Sequence, residues 1–179
     1  MYDGDARRLA SRGGYLKVFL VRHGDADAEI PEGLGDEARA LTVKSRQVLA
    51  SHFAALAEHM PGIDLVLTSP LVRAVQTAQI LSQILKHEGL LHAHRSLVPE
   101  MPVGAIESVL RQKSGQGGVV LVGHEPSMGA MAAHLLGITN WSRRVQPGTV
   151  IGIEKVYDEP ESARLLFYAP PGQPLLESL

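Results

Sequence analysis

Apolar residues along this chain fall into two rhythms. Short unbroken runs at Val18-Phe19-Leu20-Val21, Leu65-Val66-Leu67 and Val119-Val120-Leu121-Val122 have the length of strands. Their continuous apolarity suits strands covered on both faces, the habit of parallel sheets. Between the runs the spacing changes. Leu49, Phe53, Leu56 and Met60 recur at intervals of four and three, which predicts an amphipathic helix over 43–60 that Pro61-Gly62 stops. Leu71, Val75, Ala78, Leu81 and Leu85 form a second stripe, with Ser69 placed as N-cap and Pro70 at the first helical position. Met128, Met131, Ala132 and Leu135 form a third, on a helix opened by Glu125-Pro126. Weaker patterns predict a short strand over 91–94, a helix over 103–112, and strands over 149–156 and 164–168 around the acidic turn Asp158-Glu159-Pro160-Glu161.

This alternation of strands and helices, without an internal repeat or a linker, predicts an α/β protein. The expected architecture is a single three-layer α/β/α domain with a mostly parallel central sheet. The domain is expected over 16–179, preceded by a flexible N-terminal leader over 1–15 that carries Arg7, Arg8 and Arg12 but no apolar segment.

Composition narrows the chemistry. The 179 residues include no cysteine, which removes thiolate catalysis, disulfides and cysteine-based zinc sites. A net charge of −2 gives no electrostatic footprint for nucleic acid or a membrane surface. No apolar run approaches the roughly 20 residues of a bilayer span. A cytoplasmic monomer with no cofactor and no metal is the expectation. Asp25, Asp27 and Glu29, and His92 with His94, read as solvated loop and strand positions rather than ligands.

The candidate chemistry lies where the strands stop. The first run ends in Arg22-His23-Gly24, the second in Thr68-Ser69-Pro70, the third in Gly123-His124-Glu125. In an open parallel sheet such ends share one edge, where ligands bind. Helix N-termini there add partial positive charge and free N–H groups, which suit a phosphate. Arg73, early in its helix, leans back towards the same place. Guanidinium forks match the oxygens of a phosphoryl group, and a neutral imidazole is a competent nucleophile towards phosphorus.

Arg22-His23-Gly24, the segment from Ser69-Pro70-Leu71 through Arg73 to Gln76-Thr77-Ala78, and Val122-Gly123-His124 together resemble the histidine phosphatase superfamily, with its phosphoglycerate mutase-like fold and RHG motif. Gly24-Asp25-Ala26, Leu41-Thr42 and His124-Glu125-Pro126 are most similar to its SixA-like phosphohistidine phosphatase branch. The resemblance implies that His23 is the phosphorylated nucleophile and that Arg22, Arg73 and His124 hold the transferred group. Gly24 and Ser69 are expected to border the substrate. For a general acid, Glu100 matches the family position best, with Asp25 as the other candidate.

The expected activity is hydrolysis of protein phosphohistidine in signal transduction, with a histidine-phosphorylated protein such as a phosphotransfer domain as partner. An imidazole leaving group departs more easily than an alkoxide, so a weakly defined acid suits a P–N bond. Two alternatives stay open. One is a phosphatase for small phosphomonoesters or pyrophosphates on the same fold, and the other an inactive module that recognises phosphate.

Overall fold

The structure is a computed structural model that describes residues 15–113, 117–156 and 162–178. The expected leader and acidic turn therefore fall outside the described residues, apart from Tyr15. Six strands form one sheet: β1 (Tyr15–Arg22), β2 (Ile63–Thr68), β3 (Leu91–Ala93), β4 (Gly118–Gly123), β5 (Val150–Val156) and β6 (Arg164–Ala169). Their spatial order is β3-β2-β4-β1-β5-β6. The first four run parallel to one another, while β5 lies antiparallel to β1 and β6 antiparallel to β5.

Four α-helices cover the sheet: α1 (Val43–Leu56), α2 (Val72–Leu85), α3 (Gly104–Gln112) and α4 (Ser127–Leu136). The apolar runs are unbroken because both faces of the sheet are covered. Val18 and Leu20 of β1 join one buried cluster with Ile106 and Leu110 of α3 and Met128, Met131 and Leu135 of α4. Phe19 and Val21 point to the opposite cluster, with Leu49 and Phe53 of α1 and Ala74, Ala78 and Leu81 of α2. Each fully buried side chain of this size contributes roughly 1.5–3 kcal/mol of transfer free energy. This is the three-layer α/β/α architecture expected. Among the described residues no helix is long and apolar enough to cross a membrane.

Two local expectations need correction. Helix α2 begins at Val72 with Leu71 as its N-cap residue, so Ser69 does not cap it and Pro70 lies outside it. Ser69 Oγ is 3.4 Å from the Leu71 N–H, a marginal contact, and is engaged elsewhere. The buried stripe of α2 also runs through Arg73, Ala74, Thr77, Ala78 and Leu81, rotated from Leu71, Val75 and Leu85, which are only partly covered. The first turn of this helix faces the site as well as the core, and polar residues replace apolar ones there.

Candidate active site

Strand register brings the three motifs together. Arg22 pairs with Gly123 across β1 and β4, and Thr68 pairs with Val122 across β2 and β4. The ladder continues one residue further: the His23 N–H donates to Gly123 O at 3.0 Å and the Ser69 N–H to Val122 O at 2.9 Å. His23, Ser69 and His124 thus emerge side by side from adjacent strands. Gly24 is needed at once afterwards. A β-carbon there would stand 2.3 Å from Ser45 Oγ and 2.7 Å from Leu49 Cδ1, so only glycine lets α1 pack this closely.

The two imidazoles face each other with ring centroids 4.9 Å apart. His23 Nδ1 lies 2.6 Å from its neighbour's carbonyl, Gly24 O. A carbonyl only accepts, so Nδ1 carries the proton and Nε2 keeps its lone pair. Burial pushes the His23 pKa down to about 4, opposed by the bond to Gly24 and reinforced by the charges of Arg73, Arg22 and Arg39. His124 is 3% exposed and is held at about 3, by burial first and then by His23 and Arg73. Its Nε2 is 2.8 Å from Ser69 Oγ, the contact that occupies the serine. Both rings are therefore neutral at neutral pH, and one presents a bare nitrogen.

The arginines frame them. Arg22 donates from Nη1 to Val145 O at 2.7 Å, while its buried Nε has no acceptor among the described residues. Burial lowers its pKa, and the charges of Glu125 and Asp25 offset part of that. Arg73 is 4% exposed and extends from the second residue of α2. Thr77 stands one turn behind it, donating to Arg73 O at 2.7 Å and accepting the Gly24 N–H at 3.1 Å. The Gly24 N–H is thus already committed, and Gly24 orients His23 through its carbonyl.

Two residues at the site were not singled out from the sequence. Asp36, in a 3-10 turn over Asp36–Ala38, accepts from Arg73 Nη2 at 2.9 Å through its carboxylate and from Arg73 Nη1 at 2.9 Å through its carbonyl. Arg39 closes the triad, donating from Nε to the other Asp36 oxygen at 2.6 Å. Both arginines hold the Asp36 carboxyl below its ordinary range. The pair sits at the far end of the loop that begins with Asp25, Asp27 and Glu29, the three acids that read as solvated. Its one sequence signal is an Asp and an Arg three apart just before the Thr42 N-cap. Glu125 also gains a place: burial pushes its carboxyl up, against the Gly129 N–H and Arg22, both of which favour its charged form.

The candidate acids are less engaged. Glu100 lies on an exposed turn with φ 70° and makes no hydrogen bond among the described residues. The turn itself is anchored over the sheet edge, since the His94 N–H donates to Thr68 O at 2.8 Å and Leu97 O approaches Gly123. Asp25 is exposed, and its charge reaches Arg22. Among the described residues no cluster of three or more acids and histidines could hold a metal ion. His52 instead bonds Ala169 O at 3.1 Å, and His134 pairs with Glu107.

Comparison with known proteins agrees with this geometry. The sequence pattern of the histidine phosphatase superfamily (branch 1) matches residues 18–107. An uncharacterized protein of Picosynechococcus sp. is 32% identical over 146 residues, 77% of this chain and 84% of that one. The phosphohistidine phosphatase SixA of Escherichia coli is 28% identical over 126 residues, 67% of this chain and 74% of its own length. A solved structure of the protein histidine phosphatase SixA complexed with tungstate superposes with a TM-score of 0.76 at 24% identity, covering 87% of this chain and 97% of that one.

Proposed function

The chain belongs to the histidine phosphatase superfamily, branch 1, and on that premise we propose that it hydrolyses phosphohistidine borne on a protein. One observation carries the reading. His23 is pinned by its Nδ1–H bond to Gly24, kept neutral by burial, and set among guanidinium groups that match a phosphoryl group. The likeness to the SixA of Escherichia coli supports the choice of substrate.

In the first step the lone pair on His23 Nε2 attacks phosphorus, and the bond from phosphorus to the leaving nitrogen breaks, its electron pair staying with the leaving ring. Arg22, through the Nε–H that has no acceptor among the described residues, and Arg73, through the hydrogens not given to Asp36, hold the phosphoryl oxygens. His124 completes the cradle, with its ring fixed by Ser69. In the second step water attacks the phosphorylated His23, phosphate departs and the neutral imidazole returns. Glu100 or Asp25 supplies a proton where the leaving group is an alkoxide.

The test is phosphate release from a histidine-phosphorylated phosphotransfer domain, set against nitrophenyl phosphate, for wild type and His23→Ala. Rapid release from the phosphohistidine by wild type alone, with a phosphoenzyme that the variant cannot form, is the expected result. Cleavage of the ester alone would make this a small-molecule phosphatase. Tight phosphate binding with no phosphoenzyme would make it a recognition module.

A further inference from the structure

Beyond Glu125, which follows His124 in the chain and feels the charge of Arg22, the surface opens into a cleft of about 480 Å³ whose lining includes Glu125, Gly129, Ala133, Ile138, Asn140 and Trp141. Two polar groups in it have no part in holding a phosphoryl group. The Glu125 carboxylate takes the Gly129 N–H on Oε2 at 3.1 Å, with no partner for Oε1 among the described residues. The Trp141 indole N–H is buried and has no acceptor among them. Gly129 is what leaves room between the two. A β-carbon on it would stand 2.9 Å from Glu125 Oε1 and 3.5 Å from Trp141 Cδ1. The free carboxylate oxygen and the pyrrole edge of the indole therefore flank one small gap on α4.

We propose that this cleft is a subsite for the leaving group and that its occupant is a protonated imidazole, the ring of the substrate histidine. The inference rests on the phosphohistidine reading and names where that substrate's ring goes. A carboxylate, an indole and an apolar floor together favour a flat cation that carries an N–H. A histidine in a peptide supplies that cation, and the indole edge of Trp141 offers it a flat apolar wall. The charged groups around Glu125 leave the place open. Arg22 faces it from β1, and His134, further along α4, is paired with Glu107 of α3. Burial outweighs the field of Arg22 at this carboxyl, so the ionised form is undercompensated and a bound cation relieves it.

The chemical consequence concerns the leaving step. An imidazole protonated on its distal nitrogen departs neutral. The electron pair of the broken bond stays on the nitrogen that carried phosphorus, the new bond forms at His23 Nε2, and the distal N–H remains hydrogen-bonded to Glu125. No proton is transferred in that step, which fits a site whose candidate acid, Glu100, is exposed.

Trp141 is the single tryptophan of the chain, so its fluorescence reports the cleft directly. The probe is imidazole at about pH 5.5, where a group of pKa about 6.5 is mostly protonated, with pyrazole as an uncharged ring of the same shape. Saturable quenching by imidazole and not by pyrazole is expected. Glu125→Gln should weaken it about tenfold, the worth of one charge-assisted hydrogen bond. Gly129→Ala should weaken it too by filling the gap, in a helix that alanine favours. Quenching that does not saturate, or that both variants retain, would overturn the proposal.

Turnover of phosphoimidazole and nitrophenyl phosphate separates this from the reading beneath it. In Glu125→Gln the ratio of kcat/KM for the two should fall about tenfold against the ester, by the same hydrogen-bond estimate. An unchanged ratio would mean that Glu125 acts only through Arg22, and the subsite would be wrong. Wild type that binds imidazole as described but cleaves neither compound keeps the cleft's preference and overturns the phosphohistidine reading instead.

Discussion

Acidification tests the site where it is most unusual, in a half-buried and a buried imidazole that stay neutral 4.9 Å apart. His23 has its pKa lowered to about 4 and His124 to about 3, from an ordinary value of 6.5, in both cases mainly by burial. Below pH about 6.5 the unfolded chain takes up protons at both rings that the native state refuses, so stability is lost as pH falls. It is fully present above that pH. The loss is about 1.4 kcal/mol per pH unit for each ring, so at pH 5 His23 alone has cost about 2 kcal/mol and the pair about 4 kcal/mol. The assay is urea unfolding at pH 7 and pH 5 for wild type and His23→Gln, in which His124 loses the field of His23 but stays depressed by burial, its largest cause. The variant should lose about 2 kcal/mol less between the two conditions. Nitrogen NMR at pH 6 should also show His23 as a neutral ring with its proton on Nδ1. Equal pH slopes in the two proteins, or a His23 ring that titrates near its ordinary value, would refute the reasoning.

Three further outcomes follow from the geometry. Asp36→Ala frees the Arg73 fork that the carboxylate and its 2.9 Å contact hold in place, so phosphatase kcat/KM should fall by about tenfold or more while thermal stability hardly changes. Activity that stays level or rises would show that Asp36 competes with the substrate rather than orients the arginine. Gly24→Ala drives a β-carbon against Ser45 Oγ and Leu49 Cδ1, and denaturation should report a loss of about 1–3 kcal/mol. A variant as stable as wild type would mean that α1 can retreat without cost. Glu100→Gln should slow hydrolysis of alkyl phosphates much more than that of phosphohistidine, because an alkoxide needs the proton and an imidazole does not. Equal loss on both substrates would refute the leaving-group argument.

The residues by themselves determined the layers and the sheet edge that carries the chemistry. Doubly covered strands have to be apolar at every position, and helices on each face have to repeat their apolar residues every three or four. Val18 to Val21 and the stripe from Leu49 to Leu56 therefore carried their own assignments, while Met60, expected in the same helix, is buried just past a 3-10 turn over Ala57–His59. The motifs at the ends of β1, β2 and β4 marked the site because parallel neighbours deliver their ends together.

Tertiary structure alone decided the rest, because it depends on contacts between residues far apart in the chain. Ser69 reads as a helix cap from its neighbours, yet it is bonded to His124, which lies 55 residues on. Asp36 is not singled out by its own neighbours and gains its place only when Arg73, 37 residues away, is brought against it. Glu125 reads as the opening of a helix, and only burial beside Arg22 raises its pKa. Local pattern records which face of an element is covered. It does not record which polar group is set against which across the fold, and in this protein that pairing decides the partner of Ser69, the orientation of Arg73 and the gap between Glu125 and Trp141.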